Sequence, residues 1–209
     1  MNNNFTEEML DSLRIRVGEG MSEKRYFHTL EVEKMAARLG AIYAPERIPM
    51  LRAAALLHDV TKEKSVEEHI AIFEGAGVAL SDAEKKSPKM FHAQTAALVI
   101  PAEYSEFATP TLVSAVRYHT TGRADMTIEE KIIYLADYID MSRTFSDCVE
   151  LREFFLAFDF ENSSEEEKIA HLNRTLIKSY DLTIHGLLEG GKLIDKTTLE
   201  ARNFLILHI

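Results

Sequence analysis

The sequence predicts an all-α fold, and three observations carry that prediction. Helix-start chemistry recurs from end to end, no stretch alternates polar and apolar residues with a period of two, and no Asn-Gly or Asp-Gly hairpin signal occurs. About ten helices are expected from this punctuation.

Thr6, followed by Glu7 and Glu8, opens an amphipathic helix that Gly18 and Gly20 stop, and Ser22 opens a second that runs to Gly40. Pro45 suits the first turn of a helix ending at His58. A hydroxyl residue three positions before a glutamate, the spacing of a capping box, recurs at Ser65/Glu68, Ser81/Glu84, Thr127/Glu130 and Ser164/Glu167. Pro88 and Pro110 read as first-turn prolines of helices through Ile100 and His119, and Ser146 and Asp195 as caps of later elements. The acidic patch from Asp159 to Glu167 is the one weak boundary. Beyond it come a long helix through Glu189, the Gly190-Gly191 break and an apolar end, Phe204 to Ile209, which packs back on the core or meets a second copy of the chain.

A chain of 209 residues supports one sizeable core rather than two full domains. Hydrophobic residues at 46% and charged residues at 28% describe a packed protein rather than a disordered one. A net charge of -10 excludes a general nucleic-acid surface, which needs a basic stripe to neutralise phosphates, but leaves room for a small phosphorylated substrate. Cys148, the single cysteine, forms no intrachain disulfide and reads as a small core residue, which suits a reducing compartment. No apolar run approaches the roughly 18 to 20 residues of a membrane span, and Met1 to Thr6 lacks the basic start of a signal peptide, so a cytoplasmic location is expected.

The chemistry gathers on Ala53-Ala54-Ala55-Leu56-Leu57-His58-Asp59-Val60-Thr61-Lys62, an apolar helix that ends in adjacent histidine and aspartate. A buried His-Asp pair needs compensation: a divalent cation bound by both, or a helix cap for Asp59 and a carbonyl for His58. The remaining histidines and aspartates weigh toward the cation. His28, His92, His119 and Asp137 are each a single polar residue in a segment that otherwise wants burial, and each falls on a different predicted helix. Five helices aiming metal-competent groups inward outline a bundle-core metal site. Asp140, one turn after Asp137, is a rival ligand. His69, His171, His185 and His208 have unremarkable settings and read as structural.

The ordered set His28, His58-Asp59 and Asp137 resembles the signature of the HD-domain metal-dependent phosphohydrolases. Arg25-x-x-His28-Thr29, His58-Asp59-x-x-Lys62, His119-Thr120-x-Gly122-Arg123 and Lys131-Ile132-x-Tyr134-Leu135-Ala136-Asp137-Tyr138-Ile139, followed by Arg143, are similar to the YqeK-type branch of symmetrical bis(5'-nucleosyl)-tetraphosphatases. The resemblance runs from about residue 21 to 155, and implies one HD-type domain over residues 1–209 with a C-terminal helical extension from about residue 163. Where that branch has Glu-Pro-Gly-Arg, this chain has Asp140-Met141-Ser142-Arg143.

The resemblance implies two divalent metals. His28, His58 and Asp137 complete the first site, His92 and His119 the second, and Asp59 bridges them. Imidazole with carboxylate suits a borderline first-row metal, iron first, with manganese and zinc as alternatives. A metal pair activates water at neutral pH, so no protein nucleophile is required, and none is evident. Lys62, with Asp59, is placed to act on the reacting phosphoryl group, and Arg25, Arg123 and Arg143 are candidate phosphate clamps. Tyr26, Phe91, Tyr118 and Tyr138 are available for base stacking, although core packing explains each equally well. The implied activity is cleavage of diadenosine tetraphosphate to two ADP. Alternatives are an HD-type nucleotidase or phosphodiesterase, or a metal-containing nucleotide sensor that does not hydrolyse; a homodimer is compatible with any of them.

Overall fold

The structure, a computed structural model, describes residues 5–209. Most of the Met1 to Thr6 stretch considered above lies outside them. Among the described residues there are eleven α-helices, three 3-10 turns and no strand.

Local chemistry explains most of the helix starts. The Thr6 and Ser22 hydroxyls accept from the amides of Met9 and Arg25 and so cap α1 (Glu7–Glu19) and α2 (Glu23–Tyr43). All four reciprocal capping boxes are present, at the heads of α4 (Val66–Gly75), α5 (Asp82–Lys85), α8 (Ile128–Ile139) and α10 (Glu165–Glu189). Pro110 sits in the first turn of α7 (Pro110–Tyr118), and Asp195 caps α11 (Lys196–Leu207) through the Thr197 amide.

Three starts differ from expectation. Pro45 heads a separate 3-10 turn, Pro45–Arg47, before α3 (Ile48–Leu57), and Pro88 heads another, Pro88–Met90, before α6 (Phe91–Glu103). The proline ring fixes φ at a value common to both helix types, and neither turn has a side-chain cap to select the α form. Ser146 is not a cap: Phe145 holds that position and Ser146 is the first residue of α9 (Ser146–Leu156). The next residue, Asp147, supplies the acceptor instead, taking the Cys148 amide at 2.9 Å.

Helix α3 is the axis of the core, packed by α1, α2, α7 and α8. Ala53 through Leu57 are wholly buried, and the three alanines let neighbouring helices approach closely. A second layer follows: α10 lies against α8 and α9 and buries Leu172, Leu176 and Tyr180, and α11 lies against α10. The apolar end of the chain turns one face inward, with Ala201 and Leu205 buried, and leaves Leu207 and Ile209 exposed. No helix among the described residues is long and apolar enough to cross a membrane.

Candidate metal centre

At the end of α3 the helix stops at Leu57, and this frees His58 and Asp59 from the roughly 100-degree divergence of neighbours in mid-helix. Both side chains are buried and enter a cage with His28 from α2, His92 from the start of α6, His119 at the end of α7 and Asp137 from α8. His28 Nε2 lies 3.0 Å from Asp137 Oδ1, and His58 Nε2 lies 3.7 Å from the same oxygen. Asp59 spans the cage. Its Oδ2 is 3.3 Å from His58 Nε2 and 3.9 Å from His28 Nε2, whereas its Oδ1 is 3.4 Å from His92 Nε2 and 3.8 Å from His119 Nε2. Among the described residues, two groups are compact enough for one cation each: His28, His58 and Asp137, and His58, Asp59 and His119. His92 adjoins the second, with Nε2 3.1 Å from that of His119.

Main-chain carbonyls fix the imidazoles. His58, His92 and His119 turn Nδ1 to the carbonyls of Ala55, Lys89 and Val116 at 2.6, 2.9 and 2.7 Å. A carbonyl only accepts, so Nδ1 carries the proton and Nε2 offers a lone pair to the cage. Burial pushes the imidazolium form of His119 down to about 4 and holds that of His92 well below its ordinary value, so neither takes a second proton at neutral pH. Facing lone pairs repel, and the Lys62 ammonium at 3.0 Å and the Thr120 hydroxyl at 3.2 Å from His92 Nε2 compensate only part of this. His28 Nε2, His58 Nε2 and Asp59 Oδ1 are buried with no hydrogen-bond partner among the described residues. Orphaned donor atoms of imidazole and carboxylate type, converging from separate helices, fit a divalent metal.

Cations rim the carboxylates. Arg25 Nη1 donates to Asp59 Oδ2 at 2.6 Å, and Arg143 donates to the Asp137 carboxylate and, from Nε at 2.6 Å, to the Asp137 carbonyl. Burial works to raise both carboxyls, but the groups packed against them, foremost the His58 ring for Asp59 and the Arg143 guanidinium for Asp137, hold them well below the usual carboxylate range. Arg123 pairs elsewhere, with Glu130, at 3.0 Å from Nε and 2.9 Å from Nη2. Asp140 lies behind His28, its Oδ2 3.4 Å from Nδ1, so Asp137 is the carboxylate on the Nε2 side. Of the aromatics, Phe91 is closed off in the core against Phe73, while Tyr26, Tyr118 and Tyr138 are half-buried.

The family model for the HD domain matches residues 25–142, a span that takes in every residue of the cage. The chain belongs to the HD domain family. Hydrolases of this family are metal-dependent, and the His/Asp groups above are those that could bind the metal. The HD-domain chain is similar to the protein named "Bis(5'-nucleosyl)-tetraphosphatase, symmetrical" from Bacillus subtilis, at 30% identity over 91% of this chain and 94% of that one. A protein of the same name from Halalkalibacterium halodurans is 29% identical over 90% of this chain and 92% of its own length. The crystal structure of a "predicted HD superfamily hydrolase involved in NAD metabolism" from Clostridium acetobutylicum aligns with a TM-score of 0.81 and 32% identity, covering 95% of this chain and 97% of that one.

Sequence reasoning missed the groups that brace this HD-domain cage from outside. Ser142 Oγ lies 3.1 Å from His28 Nδ1, and Thr61 donates to the His92 carbonyl at 2.9 Å while meeting Thr95, which also meets His69 Nδ1. His69, read as unremarkable, therefore belongs to the buried polar chain behind His92. Its only sequence signal was a lone histidine among the apolar residues of α4.

Proposed function

We propose that this HD-domain protein hydrolyses a phosphoanhydride bond in dinucleoside polyphosphates, cleaving diadenosine tetraphosphate symmetrically to two ADP. The single observation that carries the reading is Asp59: its two oxygens face two separate imidazole sets, the arrangement a bridged metal pair requires. The names of the Bacillus and Halalkalibacterium relatives, matched over 90% or more of each chain, support a bis(5'-nucleosyl) tetraphosphate as the substrate class.

In this reading His28, His58 and Asp137 would hold one divalent metal and His92 and His119 the other, with Asp59 contributing to both. Iron is the first choice for both, with manganese and zinc as alternatives. Such a pair supplies activation of water and polarisation of a phosphoryl oxygen. The chain's own contribution is geometric and electrostatic. Main-chain carbonyls keep the Nε2 lone pairs of three histidines aimed inward, and the wholly buried floor of α3 excludes bulk water from beneath. Lys62, 4.0 Å from Asp59 Oδ1, stabilises charge that develops on the transferred phosphoryl group. Arg25 and Arg143 present cationic forks to the remaining phosphates, while Arg123 serves the loop through Glu130. The whole chain forms one HD-type domain, with α10 and α11 as its extension. Its one buried thiol suits the cytoplasm, and the exposed Leu207 and Ile209 suit a homodimer contact.

Product analysis tests the reading. Incubation of the iron- or manganese-loaded protein with diadenosine tetraphosphate yields ADP as sole product; AMP with ATP, or no turnover, overturns it.

A further inference from the structure

We infer that the Asp140–Arg143 segment between α8 and α9 is a positioning device for one metal of the pair and not the other, so that the two metals bind with separable affinities. This rests on the two-metal reading above. His58, His92 and His119 are each fixed by a carbonyl three residues back, available because each stands at or beside a helix end. His28 has no such option. It lies inside α2, where the preceding carbonyls are engaged by the helix itself, so its Nδ1 must find a partner on another element.

The partner is Ser142, whose hydroxyl donates to Asp140 Oδ1 and so turns a lone pair toward His28 Nδ1 at 3.1 Å. The Ser142 amide donates to the same carboxylate oxygen at 2.8 Å, which fixes the serine's own position. Asp140 is wholly buried, and its other oxygen has no hydrogen-bond partner among the described residues, standing 3.4 Å from both His28 Nδ1 and Arg143 Nε. Arg143, from the same segment, grips the carboxylate and the carbonyl of Asp137. One short connection thus braces two of the three ligands of the first group, and none of its hydrogen bonds or ion pairs reaches His92 or His119. Arg152 of α9 locks the connection by donating to the carbonyls of Asp140 and Arg143. An outer partner of a ligating histidine typically changes metal affinity by about 10- to 100-fold. Here that leverage falls on one site.

The test is a cobalt(II) titration of the full, metal-stripped chain, followed by calorimetry and by the visible absorption of the bound ion. The wild type takes up two equivalents. Ser142→Ala and Asp140→Asn retain one equivalent at wild-type affinity, weaken the other by about 10- to 100-fold and change its absorption band, and Ser142→Thr, which keeps the hydroxyl, restores both. Thermal unfolding of the metal-free variants establishes that each is folded; Ser142→Ala is the milder change and stands alone if Asp140→Asn does not fold. Two equivalents weakened together, or neither weakened, overturns the inference while leaving the metal pair intact. A wild type that binds only one equivalent overturns the two-metal reading itself, and the division of labour with it.

Discussion

Nε2 of His92 and Nε2 of His119 face each other across 3.1 Å, with both Nδ1 atoms already committed to main-chain carbonyls. Two inward lone pairs at that distance are unfavourable unless positive charge lies beside both, and burial denies both rings a second proton. The pair therefore has no use in an enzyme that works with the first metal alone. Replacing either residue by alanine is expected to remove one of two bound metal equivalents and to lower kcat for diadenosine tetraphosphate by at least about 100-fold. Metal analysis and steady-state kinetics check this. Unchanged turnover with one metal per chain would favour a mononuclear nucleotidase.

Lys62 lies close to the cage without being a metal-ligand type. Its Nζ is 3.0 Å from His92 Nε2 and 4.0 Å from Asp59 Oδ1, and burial lowers the pKa of its ammonium from the ordinary lysine value. Loss of one preorganised charge at a transferring group costs about 10²- to 10³-fold in kcat. Lys62→Ala is expected to show that loss while keeping both metal equivalents, a combination that kinetics with metal analysis resolves. Loss of metal instead would make Lys62 a structural brace for His92.

Much of this arrangement could be read from the sequence because its signals are local. A hydroxyl at Ser164 and a carboxylate at Glu167 need only each other to start a helix, and a lone Asp137 among isoleucine, tyrosine and leucine is conspicuous without any tertiary knowledge. Partnerships across the fold were not legible. Arg123 reads as a phosphate clamp from its place after His119, yet Glu130, in the first turn of the next helix, takes the Nε–Nη2 edge of its guanidinium and the Ala124 carbonyl takes Nη1. Asp140 reads as a rival of Asp137, and only the path of the chain after α8 puts it on the far side of the His28 ring. Pro45 and Pro88 mark their turns correctly, but proline does not distinguish a 3-10 turn from an α-helix.

His28 makes the metal-free protein sensitive to pH. Burial alone would lower its pKa, but Asp137 and Asp140 on either side outweigh burial and raise it from 6.5 to about 9. A raised folded-state value means that the stabilisation is fully present below about pH 6.5 and is lost as pH climbs through about 9. In chelator, denaturant unfolding is therefore expected to show lower stability at about pH 10 than at about pH 6, and the His28 ring protons to titrate near pH 9 by NMR. Because the metal must displace that proton from Nε2, affinity at the first group rises with pH over the same window. A His28 titration near pH 6.5 would remove the basis for both expectations.

Gly122 ties the turn after His119 to α10 through a space that admits no side chain. Its φ is +63°, and a Cβ there would lie 1.9 Å from the Tyr180 hydroxyl oxygen, 2.9 Å from its Cζ and 3.3 Å from Ala201 Cβ. Gly122→Ala meets two penalties, about 1–2 kcal/mol for left-handed backbone and about 1–3 kcal/mol for overpacking. Tyr180→Phe alone costs little, since among the described residues the hydroxyl's only hydrogen bond is a weak one to Met126 Sδ at 3.9 Å. In the Gly122→Ala/Tyr180→Phe double variant the nearest clash is gone, but Cζ and the backbone conformation remain, so part of the stability returns and part does not. Denaturant midpoints of the two single variants and the double variant measure the coupling. Additive losses would mean that the turn shifts away from α10 on its own, and the metal equivalent held by His119 would then be lost with it.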